Sequence, residues 1–246
     1  MFRPRRTLTL GRLPRWPSSI GIVLLNSLVV RLLVPGAEVG FSAYAASASL
    51  GLFNQVVLPD GLVVLLSVVV LDLAIYWQHR IFHWTPWLWR LHRMHHADQD
   101  FDVTTGSRFH PMEILLSLGF KALIIFALGP PAIAVLIFSV VLNAMALFNH
   151  GNIRLPLKLD ALLRRLLVTP DMHRVHHSVI RRETDSNFGF NLSIWDHLFR
   201  SYISQPAEGH QNMRIGLTEF RSLQDQRLDQ MLVQPFRQGV SVSKPL

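Results

Sequence analysis

Four long apolar segments limit what this chain can fold into. They are separated by polar stretches and cover residues 20–35, 61–77, 112–128 and 132–148. Each is close to the roughly 20 residues that a helix needs to cross about 30 Å of hydrocarbon. Half of the residues are hydrophobic and only 16% are charged, which is unusual for a soluble protein. The sequence therefore predicts an all-α fold, an integral membrane helical bundle of about four transmembrane helices.

Two further features refine this bundle. The sequence "GPP" at 129–131 breaks the apolar run between the third and fourth segments, which predicts a helical hairpin. A weaker apolar stretch at 41–58 predicts a short interfacial or re-entrant helix.

The distribution of basic residues predicts the orientation of the bundle. Residues 36–60 and 129–131 contain no Lys or Arg, whereas 78–111 contains four and 149–200 contains eight. The positive-inside rule then places the N-terminus, 78–111 and everything after 149 in the cytoplasm. We interpret residues 1–19 as a basic cytoplasmic tail rather than a secretory signal, because "YAASASLG" would be a late cleavage site. Residues 20–204 form the predicted membrane-embedded catalytic domain, and 205–246 a polar C-terminal tail.

Composition excludes several classes of function. The net charge of +8 suits nucleic acid or anionic lipid, but Lys and Arg lie in blocks between apolar segments and are not interleaved with aromatic residues. We therefore predict no nucleic acid partner. The chain contains no Cys, which excludes disulfides, thiolate catalysis and Cys-ligated zinc or iron–sulfur sites.

Ten of the twelve histidines lie in residues 78–111 and 149–177, which are both predicted to be cytoplasmic. The motifs are "HRIFH" at 79–83, "HRMHH" at 92–96, "RFHP" at 108–111, "NHGN" at 149–152 and "HRVHH" at 173–177. Histidines three or four positions apart share one face of a helix, so these sets point together into the bundle. We expect them to form a histidine-rich helical cap on the cytoplasmic side.

Clustered imidazoles favour a metal site over ordinary buried histidines. They would repel one another if protonated, and they would lack hydrogen-bond partners if buried and neutral. A metal ion accepts neutral imidazole nitrogens and supplies the compensating charge. Eight to ten imidazoles are too many for one ion and suit two, and such ligands bind iron, zinc or copper. No Glu lies inside the clusters and no "HExxH" is present, so a zinc-protease mechanism is poorly supported.

The three motifs in order resemble the fatty acid hydroxylase / sterol desaturase superfamily, whose pattern is HxxxH, HxxHH and (H/Q)xxHH. The flanking sequences "DLAIYWQHRIFH", "RFHPMEIL", "TPDMHRVHH" and "NFGFNLSIWDHLF" are also similar, so the resemblance covers about residues 70–200. One departure is Arg200, which follows "WDHLF" where the family usually has Gly.

The resemblance implies a set of metal ligands. They would be His79, His83, His92, His95, His96, His173, His176 and His177, with His110 and His150 as further ligands. His197 and His210 lie outside the pattern, and we interpret them as surface residues or as supports for a ligand. Asp72 either bonds to a neighbouring helix or holds a ligand imidazole, and Asn187 is also expected to hold one. Glu113 opens a helix, where its charge suits the helix dipole.

The resemblance also implies a function. The chain would be an oxygen-dependent oxidoreductase that hydroxylates or desaturates a C–H bond of a lipid (fatty acyl, sterol or related isoprenoid) at two iron ions, with O2 as co-substrate. The lipid would come from the bilayer. The sequence has no dinucleotide-binding or haem motif, so a separate ferredoxin or small cytochrome with its reductase is expected to supply electrons.

Two alternatives remain open. The first is a zinc-dependent membrane hydrolase acting on a lipid, since zinc can occupy the same imidazole ligands in purified protein. The second is a metal carrier, which is less favoured because Asp72, Lys121 and Arg31 are too few and scattered to form a polar path through the membrane.

Overall fold

The computed structural model describes residues 4–238 of the 246. The first five helices are α1 Trp16–Leu33, α2 Ala37–Ser47, α3 Asp60–Trp84, α4 Pro86–His96 and α5 Pro111–Leu128. They are followed by α6 Ala132–Asn149, α7 Leu157–Leu163, α8 Pro170–His176, α9 Arg181–Thr184, α10 Ile194–Leu198, α11 Gly209–Asn212 and α12 Leu228–Val233. Within residues 4–238 the only β-type pairing is three isolated bridges. The all-α prediction is confirmed.

Four helical regions are long and apolar enough to cross a membrane: 16–54, 60–84, 111–128 and 132–149. Large apolar side chains on their outer faces are exposed, among them Leu24, Leu65, Leu123 and Val140. An exposed apolar surface of this extent suits lipid rather than water. The predicted bundle of about four transmembrane helices therefore agrees with the structure.

Proline and glycine set the ends of these helices, as the sequence suggested. Pro86, Pro111 and Pro170 each occupy the first helical position, where no N–H donor is needed. Gly129 adopts a left-handed conformation with φ 67° and ends α5. The α5–α6 hairpin predicted from "GPP" is present.

The segment at 41–58, expected to form a short interfacial or re-entrant helix, contributes to the bundle. Its helical part is α2, which begins earlier, at Ala37, and packs against α5 and α6. Ser42 donates a hydrogen bond to the carbonyl of Pro130, and Glu38 pairs with Lys121 of α5. The first apolar region therefore forms a broken helix, α1 followed by α2, inside the bundle.

The bundle core and the cap are joined by short apolar clusters. Leu71 and Ile75 of α3 pack with Ile125 of α5 and Phe138 of α6. At the other end, Ile22 of α1 packs with Met94 of α4 and Met231 of α12. Residues 209–238 thus lie on the cap, although the division at 205 stays a prediction and residues 239–246 lie outside the described range.

The N-terminal segment is also anchored to the cap. The Asp100 carboxylate accepts hydrogen bonds from the backbone of Thr9, Leu10 and Gly11. Arg15 is fully buried and donates to Asp98 at 2.6 Å, two residues after the "HRMHH" motif ends. Both described ends of the chain therefore contact the end of the bundle that carries the histidine motifs.

Candidate metal centre

Nine buried histidines converge in two adjacent groups. The five-histidine group contains His79, His83, His92, His96 and His176. The four-histidine group contains His95, His150, His173 and His177. Within each group, one ring nitrogen from every residue lies within 4.8 Å of the others. The groups touch through the stacked rings of His96 and His177, whose centroids are 4.6 Å apart.

The five-histidine group is held by hydrogen bonds from its outward-facing Nδ1 atoms. His79 donates to the carbonyl of Phe188 at 2.8 Å, and His176 donates to the carbonyl of Ser186 at 2.6 Å.

Two carboxylates complete this support. His92 donates from Nδ1 to Glu113 at 2.6 Å, and His83 donates from Nδ1 to Asp185 at 3.2 Å. A proton fixed on Nδ1 leaves the lone pair of Nε2 directed inward, as in many metal sites where a carboxylate or carbonyl orients the ligand.

The four-histidine group is held differently. His150 donates from Nδ1 to the carbonyl of Ala146 at 2.7 Å, but the Nδ1 atoms of His95, His173 and His177 have no hydrogen-bond partner among the described residues. Aromatic rings fix these side chains instead. The His95 ring stacks on Phe109 with centroids 4.5 Å apart and planes 11° apart.

The inward nitrogens indicate a cation. Nε2 of His79 lies 3.1 Å from Nε2 of His92, and both residues already carry their proton on Nδ1. Nε2 of His150 lies 3.1 to 3.3 Å from the Nε2 atoms of three other histidines. Unprotonated nitrogens at this separation repel each other, and a bound cation removes the repulsion. The inward Nε2 atoms of His83, His96 and His176 are buried without a partner, as expected for metal ligands.

Those of the nine converging histidines that lie outside the membrane-spanning helices have lowered pKa values and are neutral at physiological pH. Burial lowers the pKa of His92 to about 3 and that of His150 to about 4. Burial first, and the neighbouring imidazoles second, lower the pKa values of the remaining ones far below the usual range: His95, His96, His173, His176 and His177. Neutral imidazole is the form that binds metal, so both groups fit metal ions without a preceding loss of protons.

The structure does not bring His110 into either group. Its Nδ1 accepts a hydrogen bond from the backbone N–H of Met112, and its Nε2 lies 3.1 Å from the carbonyl of Leu232. With both nitrogens engaged by backbone, His110 caps the start of α5 and ties it to the C-terminal segment. Of the ten ligands expected from the sequence, nine converge and this one does not.

Asp72 and Asn187 support the centre less directly than expected. Asp72 accepts hydrogen bonds from the Trp195 indole at 2.8 Å and from the backbone of Leu192, so it bonds to a neighbouring segment and to no imidazole. Asn187 donates to the carbonyls of Met172 and Ile203. It therefore fixes α8 and the loop whose Ser186 and Phe188 carbonyls hold ligands.

Sequence reasoning missed Glu113 and Asp185 as supports for ligands. From the sequence, Glu113 is explained by its favourable charge at the start of a helix. Its position two residues after the histidine-containing motif "RFHP" is the signal that the carboxylate lies close to the cap. No comparable signal identifies Asp185, because its contact with His83 depends on how the loop after α9 folds back.

The two histidines outside the motifs differ from each other. His197 is exposed and its ring packs on Tyr202 with centroids 4.1 Å apart. His210 is buried, with its Nε2 3.6 Å from Asp171, and burial lowers its pKa to about 4. Of the two expected alternatives, surface residue or support for a ligand, His197 agrees with the first, whereas His210 is buried beside Asp171 and contacts none of the nine converging histidines.

Arg200 occupies the left-handed region of backbone space, with φ 57°. Glycine adopts this conformation without steric cost, whereas other residues do so with strain. The backbone at this position thus adopts a conformation that suits glycine although the residue is arginine.

A cavity of about 260 Å³ lies next to the five-histidine group, between α1, α3, α5 and α6. His79, His92 and Glu113 line it at the cap end, and Lys121 lines it about 12 Å further along α5 at about 1.5 Å per residue. The wall combines apolar and polar side chains: Val23, Ile75, Phe82, Leu142, Ser27, Gln78, Ser117 and Asn143. A cavity that joins the histidines to the apolar bundle can hold part of a lipid.

Comparison with known proteins agrees with this arrangement. The family model for fatty acid hydroxylase matches residues 64–201, more than half of the chain and all nine converging histidines. The fold and site define a membrane helical protein with two buried histidine groups that could bind metal. The chain belongs to the fatty acid hydroxylase family.

Curated relatives share part of the chain. An ornithine lipid hydroxylase, OlsE, from Rhizobium tropici is 31% identical over 163 residues, which is 65% of this chain and 47% of the relative. The alkylglycerol monooxygenase of Homo sapiens is 30% identical over 53% of this chain and 28% of its own length. That of Xenopus tropicalis is 28% identical over 57% and 30%, respectively. The chain thus spans less than half the length of these relatives. No solved structure shows a significant match.

Proposed function

We propose that this chain is an oxygen-dependent lipid hydroxylase whose nine converging histidines bind two iron ions. The observation that carries the proposal is the pair of histidine groups beside a cavity within apolar helices. Four or five neutral imidazoles are a sufficient ligand set for one ion each. Membership of the fatty acid hydroxylase family supports iron over zinc.

The residues of this chain would orient and shield the iron. Glu113, Asp185 and the carbonyls of Ser186 and Phe188 hold the ligand rings in one tautomer, which keeps the Nε2 lone pairs inward. The groups are buried, so bulk water is kept from the reacting carbon. Iron bound there would supply the oxidising power for attack on a C–H bond, which no amino-acid side chain provides.

The cavity supports a lipid substrate. Ser27 of α1 and Asn143 of α6 line it and are themselves exposed on the apolar surface, so a lipid could enter sideways from the bilayer. The names of the relatives, ornithine lipid hydroxylase and alkylglycerol monooxygenase, describe oxygen insertion into lipids and favour hydroxylation over desaturation. Polar groups on the wall, including Gln78 and Ser117, suit a lipid with a polar group near the carbon attacked.

The orientation and the electron donor belong to the same proposal. The histidine groups lie at the end of the bundle whose loops carry the Lys and Arg residues, which supports a position on the cytoplasmic side. Insertion of one oxygen atom from O2 releases the other as water and consumes two electrons. A ferredoxin or small cytochrome with its reductase would supply them.

Lipid analysis with isotopically labelled O2 tests the proposal. Cells that express the chain should accumulate a lipid that gains one labelled oxygen atom, and cells that express His150→Ala should not. His197→Ala is the matched control, because His197 is exposed and belongs to neither histidine group. A product that loses two hydrogens without label would indicate a desaturase, and a change that persists without air would indicate the zinc-dependent hydrolase.

A further inference from the structure

Trp89 is placed between the surface of the cap and the five-histidine group. It lies on α4, and its ring centroid is 4.8 Å from that of His83 and 5.2 Å from that of His96. The Trp89 side chain is only partly buried, whereas both histidines are buried. The indole thus connects two of the converging imidazoles to the protein exterior.

No other aromatic ring in residues 4–238 combines these properties. Six aromatic rings other than histidine contact the nine histidines. Phe82, Phe101 and Phe188 are buried, and Phe109 and Phe190 are partly exposed but line the cavity. Trp89 is partly exposed and does not line the cavity. A lipid in the cavity would cover Phe109 and Phe190. Trp89 stays accessible to a soluble protein while the substrate is bound.

One basic side chain lies over the indole of Trp89, and further basic residues lie close to it. The Arg181 guanidinium lies 5.5 Å from the centre of the Trp89 ring, and its side chain is 42% exposed. Arg182 beside it is exposed and makes no hydrogen bond or ion pair within residues 4–238. Trp89 also packs near Phe220, over which the guanidinium of Arg237 lies at 5.1 Å.

Acidic side chains neutralise only part of this charge. Asp185 pairs with Arg181, and Asp225 pairs with Arg237. Burial lowers the pKa of Arg93, and the nearby charge of Glu219 acts in the opposite direction. Arg182 is exposed and makes no ion pair within residues 4–238, so it offers an unpaired positive charge next to Arg181 to a negatively charged partner.

We propose that an acidic one-electron carrier protein docks on Arg181 and Arg182, and that its electrons pass through Trp89 to the five-histidine group. This inference rests on the proposed function, because it assumes iron in that group. Two successive one-electron transfers match the balance RH + O2 + 2 e⁻ + 2 H⁺ → ROH + H2O, in which the carrier is oxidised. Trp89 acts as a conduit that is neither a ligand nor in contact with the substrate cavity.

Binding of the carrier is tested first, without turnover. The probe is a reduced [2Fe–2S] ferredoxin of strongly acidic composition, titrated into the detergent-solubilised full chain at low salt. Arg182→Glu should weaken binding about tenfold or more, as should added salt, because the contact is electrostatic. Arg165→Glu is the matched control, since Arg165 is exposed on the cap and has no contact with Trp89. Equal weakening by both variants, or by neither, would overturn the docking site.

Electron transfer is tested second, in the iron-loaded protein. Anaerobic stopped-flow measurements follow oxidation of the ferredoxin by wild type, Trp89→Phe, Trp89→Leu and the control Trp84→Leu. Trp84 is 54% exposed, yet its ring contacts Trp77 and Arg80 and no histidine. Loss of rate should be largest for Trp89→Leu, smaller for Trp89→Phe and absent for Trp84→Leu, with iron content and reduction by dithionite unchanged.

Three results separate the possibilities. Wild-type rates in Trp89→Leu would overturn the conduit, and so would an equal loss with dithionite, which would make Trp89 only a packing residue. Ferredoxin oxidation by wild type that depends on Trp89, without any labelled lipid product, would support the conduit and count against the lipid hydroxylase proposal alone.

Discussion

The two histidine groups are held in place by different forces. In the five-histidine group, four of the five residues donate from Nδ1 to a named acceptor, two carboxylates and two backbone carbonyls. In the four-histidine group, only His150 does so, and the other rings rest on aromatic neighbours. Hydrogen bonds fix both the tautomer and the direction of a ring, whereas stacking fixes only its plane. The first group is therefore preorganised by protein, and the second depends more on its metal.

Loss of a ligand gives the largest expected effect. His95→Ala removes one of only four imidazoles and leaves three, of which only His150 is held by a hydrogen bond from Nδ1. We expect metal content to fall from about two ions per chain towards one, with loss of turnover. Metal analysis of purified protein measures this, with His197→Ala as the control. Full metal content in His95→Ala would show that the four-histidine group binds no ion.

Loss of a supporting carboxylate should have a smaller effect, confined to the five-histidine group. Glu113→Gln keeps the shape of the side chain but replaces the carboxyl group that accepts from His92 with an amide. We expect the metal affinity of one ion to fall about 10- to 100-fold, measured by competition with a chelator. The second ion serves as an internal control, because no carboxylate contacts its four histidines among residues 4–238. A change in both ions alike would remove the distinction between the groups.

Metal removal compares the two groups directly. After chelation, backbone hydrogen exchange should rise more around 150–152 and in α8 than in α3 and α4. The reason is that protein hydrogen bonds still hold His79, His83 and His92 when the cation is absent. Faster exchange in α3 than in α8 would reverse the comparison.

The smallest expected effect concerns the loop that supports the five-histidine group. Asp196 accepts from the backbone of Phe188 and Gly189, and Arg200 adopts its left-handed conformation four residues later. Arg200→Gly should stabilise the fold by up to about 1 kcal/mol, because glycine removes the strain at φ 57°. Thermal unfolding in detergent measures the change. Arg182→Gly, within the short helix α9, should not stabilise, and equal shifts in both variants would argue against strain.

Much of the site was predictable because spacing on a helix is a local property. His79 and His83 on α3, and His92, His95 and His96 on α4, project as the one-turn pattern requires. The division into groups was not predictable. His95 and His96 are adjacent in sequence yet belong to different groups, because consecutive helical residues point about 100° apart and the partners come from α8.

Other contacts depend on tertiary packing that no sequence pattern encodes. The carbonyls of Ser186 and Phe188 hold ligands, but a backbone acceptor has no signature in the side-chain sequence. His110 is of the same residue type as the converging histidines and lies near them in sequence. Its Nε2 nevertheless contacts the carbonyl of Leu232 in the C-terminal segment. The burial of His210 likewise depends on residues 209–212 folding against α8, far along the chain.

The arrangement of ligands along the chain sets an order of assembly. Each histidine group includes at least one residue of 173–177, so neither is complete until the ribosome has passed that point. By then all four apolar regions, which end at 149, have been synthesised. The helices would therefore insert and pair before either histidine group is complete, and metal binding would be a late, post-insertional step that fastens α8 onto a bundle already in the bilayer.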